Sequence, residues 1–240
     1  MSRTQFVKAD RISTSFLAAA ETRCLRWMAA RLPRQINSDQ LTILALLAML
    51  MIGLSYWLAR DYPLALLAVN GWLIVNWFGD SLDGTVARVR GHERPRYGFY
   101  VDHVVDAFGT LLLVGGLGLS GYMSPTVAMG LLIAYFLLSI DVYLATYSLG
   151  QFRLSYWKVG PTELRLLLCA GNVVLLVHPH AVLFGRQYLL FDVGGVVAAV
   201  LLLATTIVSA IRNTRTLYRA EPLPAANPRS TVCGALSSEC

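Results

Sequence analysis

The chain has 240 residues, of which 56% are hydrophobic and 14% charged, and its mean hydropathy is +0.56. A soluble domain carries about 25% charged residues, and disorder needs low hydrophobicity with high net charge, so both classes are excluded. The net charge of +6 would point to nucleic acid only if it were gathered on one soluble surface, and its distribution along the chain argues otherwise.

The opening residues, MSRTQFVKAD, contain no apolar run, so no cleavable signal peptide is expected. From about Ile12 to Ala30 the pattern predicts a helix. Leu17, Ala20, Cys24 and Met28 share one face, with Thr22 and Arg26 opposite. With Trp27 at its edge and several arginines, it suits an amphipathic helix lying in the cytoplasmic interface. Pro33 marks its end. Four cysteines, Cys24, Cys169, Cys233 and Cys240, are too few and scattered for a disulfide framework or a zinc site, and free thiols are expected.

Apolar runs of membrane-spanning length follow, and six are expected: Leu41–Ala59, Pro63–Phe78, Val101–Leu119, Pro125–Leu149, Leu166–Phe184 and Val193–Ala210. The second and third are short only in their apolar part, so their helices are expected to continue beyond it. Eighteen of the twenty Lys and Arg fall in alternate segments, namely residues 1–40, 79–100, 150–165 and the tail. The opposite loops hold only Arg60 and Arg186. By the positive-inside rule, both termini are cytoplasmic. The positive charge is thereby explained by orientation, and no nucleic-acid partner is expected. The expected organisation is a cytoplasmic segment (1–40), a six-helix transmembrane domain (41–213) and a disordered cytoplasmic tail (214–240). The expected fold class is all-α integral membrane, and the expected location is a bacterial inner membrane.

The informative stretch lies between the second and third spans. Five of the fourteen acids fall between Asp80 and Asp106. Asp80 and Asp83 are three residues apart, and Gly84, Ala87 and Arg88 follow at helical spacing. Gly98, Asp102 and Asp106 then succeed one another at intervals of four. On two helices this places Asp80 and Asp83 on one face and Asp102 and Asp106 on another. An antiparallel hairpin would let the pairs face each other at the cytoplasmic end. Four carboxylates near a membrane are costly unless compensated, and like charges packed together repel. Hard oxygen ligands suit Mg²⁺, Mn²⁺ or Ca²⁺, and four acids can hold two such ions, the arrangement used for in-line displacement at phosphorus. The small residues leave room for a base or a pyrophosphate beside the backbone, and Arg88 can neutralise phosphate charge.

This stretch resembles the CDP-alcohol phosphatidyltransferases, whose motif is D-x2-D-G-x2-A-R, a gap, then G-x3-D-x3-D. Asp80, Asp83, Gly84, Ala87, Arg88, Gly98, Asp102 and Asp106 match every defined position. The gap is one residue longer than the family's usual spacing. The resemblance implies a six-helix membrane bundle with a cytoplasmic amphipathic N-terminal helix, often a homodimer. It implies two divalent cations, Mg²⁺ or Mn²⁺, held by Asp80, Asp83, Asp102 and Asp106, with Asp106 also the general base. Asp80, Gly84, Ala87, Arg88 and Gly98 would surround the CDP moiety. The implied reaction is attack of an alcohol on the phosphorus of a CDP-activated donor, releasing CMP, in phospholipid biosynthesis.

Other residues are weaker candidates for the acceptor site. Asp141 is an acid inside the fourth span, where function is the default hypothesis and a structural pairing with Asn76, His103 or Tyr143 is the rival. Arg153, Lys158 and Arg165 enter the fifth span and can bind a phosphate, although each also serves as an orientation flank. Asn37 and Thr42 resemble a loosely kept N-x-L-T pattern in the family. His178 and His180 lie across the membrane from the acids and are expected to be interfacial anchors. Gly109, Gly115, Gly116 and Gly118 permit close helix packing, and a dimer interface is the expected place for it. CDP-diacylglycerol is the favoured donor, because the basic Arg153–Arg165 segment suits a phosphorylated acceptor. A small CDP-alcohol with a diacylglycerol acceptor is the alternative, since His103 after Asp102 matches the D-H of choline and ethanolamine phosphotransferases. A cation transporter is disfavoured, because its acids should lie near the midplane.

Overall fold

The structure is a computed structural model and describes residues 18–149 and 160–221. Disorder is expected from residue 214, but the last helix continues through Ala220; the tail beyond residue 221, the start of the N-terminal helix, Arg153 and Lys158 lie outside the described residues. The elements run α1 (Ala18–Arg31), α2 (Ser38–Ala59), α3 (Ala65–Val89), α4 (Pro95–Leu119), α5 (Pro125–Leu149), α6 (Pro161–Leu175), β1 (His180–Leu183), β2 (Arg186–Leu189) and α7 (Leu190–Ala220).

Each apolar run has become a helix, and α3 and α4 do extend past their apolar parts, to Val89 and back to Pro95. Four helices, α2, α4, α5 and α7, are long and apolar enough to cross a membrane. Their outward residues, such as Leu137, Ile140, Leu144, Val200 and Ile207, are exposed, as befits helices that are hydrophobic all round and solvated by lipid. The fifth run departs from expectation. It was expected to be helical to Phe184, but α6 stops at Leu175 and the chain turns into the β1–β2 hairpin. The reason is local. Pro179 lacks an N–H and disfavours helix at the residue before it. Phe184 and Gly185 both have positive φ, 51° and 77°, which a two-residue hairpin turn requires.

The N-terminal helix also presents a different face. Leu25 and Ala29 are its buried residues, packed with Leu41, Leu82 and Val86, while Cys24 is exposed. The stripe chosen from sequence is rotated by one residue, because α1 packs on α3 and not on lipid alone. Trp27 and Arg31 remain outside, with the guanidinium 4.1 Å from the ring centroid.

Helix α2 is the axis of the bundle, with α3 and α4 both packed along it. Small residues allow this. A Cβ at Gly79 of α3 would lie 2.7 Å from the Leu41 carbonyl oxygen of α2. Gly53 of α2 faces the backbone of Leu112, and Gly116 of α4 faces the backbone of Gly53. Gly109 and Gly118 meet Met49 and Ala128, whereas Gly115 meets nothing within 4 Å. Three of the four glycines singled out in the third span are therefore used inside the chain.

A polar chain crosses the apolar core. The Tyr56 hydroxyl donates to Asn172 Oδ1 (2.9 Å), Asn172 Nδ2 donates to Asn70 Oδ1 (2.8 Å), and Asn70 Nδ2 donates to the Cys169 carbonyl (3.2 Å). It fixes α6 against α2 and α3 where apolar packing alone leaves rotation free. Tyr56→Phe should destabilise the protein by about 1 kcal/mol, read as a lower unfolding midpoint in detergent. A midpoint equal to the parent's would count against this bond.

Candidate active site

Asp80, Asp83, Gly84 and Ala87 fall on one side of α3, since intervals of three and four bring residues to one helix face. Gly98, Asp102 and Asp106 do the same on α4. The two helices do not pack backbone to backbone as the expected hairpin would. Each packs on α2 instead, and the acids face one another across the space between them. One carboxylate oxygen from each of Asp80, Asp102 and Asp106 lies within 4.8 Å of the others. Among the described residues this is the group able to hold a metal ion. Three hard oxygen donors converging at one point are the donor set that Mg²⁺ or Mn²⁺ takes, so the residues fit the ion.

Asp83 is placed differently. It accepts the Thr42 hydroxyl at Oδ2 (2.7 Å) and the Gly84 backbone N–H at Oδ1. Thr42, near the start of α2, was only a weak signal in the sequence, and the fold sets it on a motif carboxylate. Arg88 is exposed and donates to Thr85 Oγ1 (3.0 Å). Ala87 lines a cleft of about 440 Å³ with Ser38, Val86, Arg90, His92 and Arg94. Gly98 has open space where a Cβ would stand.

Among the described residues, Arg165, near the start of α6, is the candidate acceptor residue that reaches the acids. Its Nη2 donates to Asp80 Oδ2 (2.6 Å) and its Nε to Asn76 Oδ1 (2.9 Å). Asn76 is buried on α3, one turn before Asp80, and its Nδ2 donates to the Ala45 carbonyl (3.1 Å). Arg165 Nη1 is buried with no hydrogen-bond partner among the described residues. One cation is thus pinned beside three carboxylates with one face of its fork unspent. Sequence reasoning named Asn76 only as a partner for Asp141. A polar residue four positions before Asp80 in an apolar run was the available signal.

Asp141 is not part of the cluster. Its Oδ2 is buried without a hydrogen-bond partner among the described residues, and Asn76 is already engaged by Arg165 and Ala45. His103 bonds the Phe99 carbonyl through Nδ1 (2.6 Å), and its ring meets Tyr143 edge-on at 4.9 Å. Another arginine holds the framework. Arg90 donates to the carbonyls of Leu32, Pro33 and Ile36, tying the α1–α2 linker to the end of α3.

The fold and the site define a class: a helical, membrane-embedded protein with a carboxylate cluster at one end of its bundle, fit for a divalent cation and neighboured by a pinned arginine. The chain belongs to the CDP-alcohol phosphatidyltransferase family, which it matches over residues 36–212. A search of the curated proteins returned no match. The matched region spans α2 to most of α7 and includes every acid of the cluster. The family is membrane-embedded, generally depends on divalent metal and transfers a phospho-alcohol group from a CDP-alcohol to an alcohol acceptor. The chain is accordingly a transferase of phospholipid synthesis.

Proposed function

We propose that the protein transfers a phosphatidyl group from CDP-diacylglycerol to a small phosphorylated alcohol and releases CMP. The observation that carries this reading is the pinning of Arg165 beside Asp80, with Nη1 unpartnered, at the edge of the Asp80–Asp102–Asp106 cluster. A guanidinium so placed orients a phosphate through charge-assisted bonds.

Asp80, Asp83, Asp102 and Asp106 would hold two divalent cations, with Thr42 fixing one oxygen of Asp83. Bound there, the cations would neutralise charge on the phosphate oxygens and on the departing CMP. Asp106 takes the proton of the acceptor hydroxyl. The acceptor oxygen then bonds to the phosphorus, the bond from phosphorus to the CMP oxygen breaks, and its electron pair leaves with CMP. Gly84, Ala87, Arg88 and Gly98 border the CDP moiety, where the small side chains leave the backbone open. Asp141 is held in reserve for the acceptor side.

In the membrane, α3 and α6 join α2, α4, α5 and α7 in a six-span bundle with both termini cytoplasmic. Fifteen residues of α6 reach only about 22 Å at 1.5 Å per residue. The β1–β2 hairpin then fills the outer interface, which explains why the fifth apolar run outlasts its helix. The exposed Trp27 and Arg31 of α1 rest at the cytoplasmic surface.

Purified protein should release CMP from CDP-diacylglycerol with glycerol phosphate or inositol phosphate, and only with Mg²⁺ or Mn²⁺ present. Release solely from a small CDP-alcohol with diacylglycerol would reverse the donor assignment. Arg165→Ala should raise the KM for the phosphorylated acceptor roughly 10- to 100-fold, the worth of a charged hydrogen bond. An unchanged KM would remove Arg165 from the acceptor site.

A further inference from the structure

Helix α1 is basic on its outer side, yet it turns one acid inward. Glu21 Oε1 accepts three donors from two other helices. They are the Trp77 indole N–H (2.9 Å) and the Ser81 hydroxyl (3.4 Å) of α3, and the Thr162 hydroxyl (2.7 Å) of α6. These donors bracket the site. Ser81 follows Asp80 directly, Trp77 follows Asn76, and Thr162 stands one turn before Arg165. Within the same layer, Arg165 spans the two helices in parallel, bonding Asp80 and Asn76 of α3 from its place on α6. Two cross-links therefore join α3 to the start of α6. One is the guanidinium at the site, and the other is a carboxylate supplied by α1 on the outside of the bundle. Leu25 and Ala29, one and two turns further along α1, anchor that carboxylate against Leu82 and Val86.

The segment leading into α6 gives the second link its importance. Pro161 and Gly160 open the helix, and α6 is the shortest of the helices in the bundle core. Its cytoplasmic end is held to α3 by these polar contacts and by few apolar ones, since Leu164, Leu166 and Leu167 are exposed. Resting on the phosphotransfer reading, we propose that Glu21 is a positioning residue: through Thr162 it holds the start of α6 on α3 and so keeps Arg165 registered on Asp80 and Asn76. Helix α1 thereby sets the geometry of the acceptor side without touching substrate.

The test uses the full chain in lipid nanodiscs, with Glu21→Ala, Glu21→Gln and Thr162→Val. Glu21→Ala and Thr162→Val should each raise the acceptor KM roughly 3- to 10-fold, the worth of an ordinary hydrogen bond, with kcat nearly unchanged. Glu21→Gln, which keeps an acceptor oxygen, should fall between Glu21→Ala and the parent. Because residues in one network are not additive, Glu21→Ala should add no further loss in an Arg165→Lys background. A full multiplicative loss there, or a fall in kcat alone, would overturn the positioning role. Amide hydrogen exchange over residues 161–170 gives a readout independent of turnover. It should quicken in Glu21→Ala and Thr162→Val, and exchange equal to the parent's would overturn the latch. A parent chain that releases no CMP from any donor defeats the reaction reading and the kinetic role with it, while exchange still decides whether Glu21 holds α6.

Discussion

Asp106→Asn is expected to lower CMP release roughly 10²- to 10⁴-fold, the range for loss of a positioned general base. The substitution keeps the shape of the side chain and removes both its charge and its basicity. Asp106 stands one turn beyond Asp102 on α4, with an oxygen in the same cluster as those of Asp80 and Asp102. The variant therefore loses either a base or a cation ligand, and the two are separable. Mn²⁺ binding followed by electron paramagnetic resonance should persist in Asp106→Asn, because Asp80, Asp83 and Asp102 remain. It should weaken sharply in Asp80→Asn. If Asp106→Asn keeps Mn²⁺ but loses turnover, the base assignment stands. Retained turnover would overturn it.

Gly116→Val is expected to have the largest effect on stability and to disable the site from a distance. The added side chain would be driven into the backbone of Gly53 on α2. Overpacking usually costs about 1–3 kcal/mol and occasionally more, and backbone cannot move aside as a flexible side chain does. Since α3 and α4 are each packed along α2, moving α4 off α2 carries Asp102 and Asp106 away from Asp80. Unfolding in detergent should shift to lower temperature, and CMP release should fall with it. Gly115→Val is the internal control, because a Cβ there meets nothing within 4 Å. Equal behaviour of the two variants would mean that the α2–α4 crossing is not as close as described.

Much of the site was legible because helical spacing and chemistry coincide in one stretch. Intervals of three and four put Asp80 with Asp83, and Asp102 with Asp106, whatever the rest of the chain does. The scarcity of charge in an apolar chain made those acids conspicuous. The arrangement of their helices was not legible. An antiparallel hairpin is the simplest way to bring two such faces together, but the glycines at 53, 79 and 116 let α2 approach both helices instead. Arg165 was visible as one of several cationic flanks, and nothing in its own segment distinguished it from Arg153 or Lys158. Its role depends on Asn76 and Asp80, some 85 to 89 residues away. Glu21 was not legible at all, since its partners are 56, 60 and 141 residues distant.

The sequence by itself determined the membrane class, the expected orientation and the acidic motif, because each depends on composition or on spacing within a single helix. Hydropathy and arginine distribution are summed over segments and need no knowledge of contacts. Tertiary structure alone decided which acids converge, which cation sits among them and where a helix yields to a hairpin. It also decided which face of α1 is buried. Those outcomes rest on close approach between distant segments: a missing Cβ at a crossing, a shared carboxylate, a proline at a helix end. Periodicity says which residues share a face, but only packing says what that face meets.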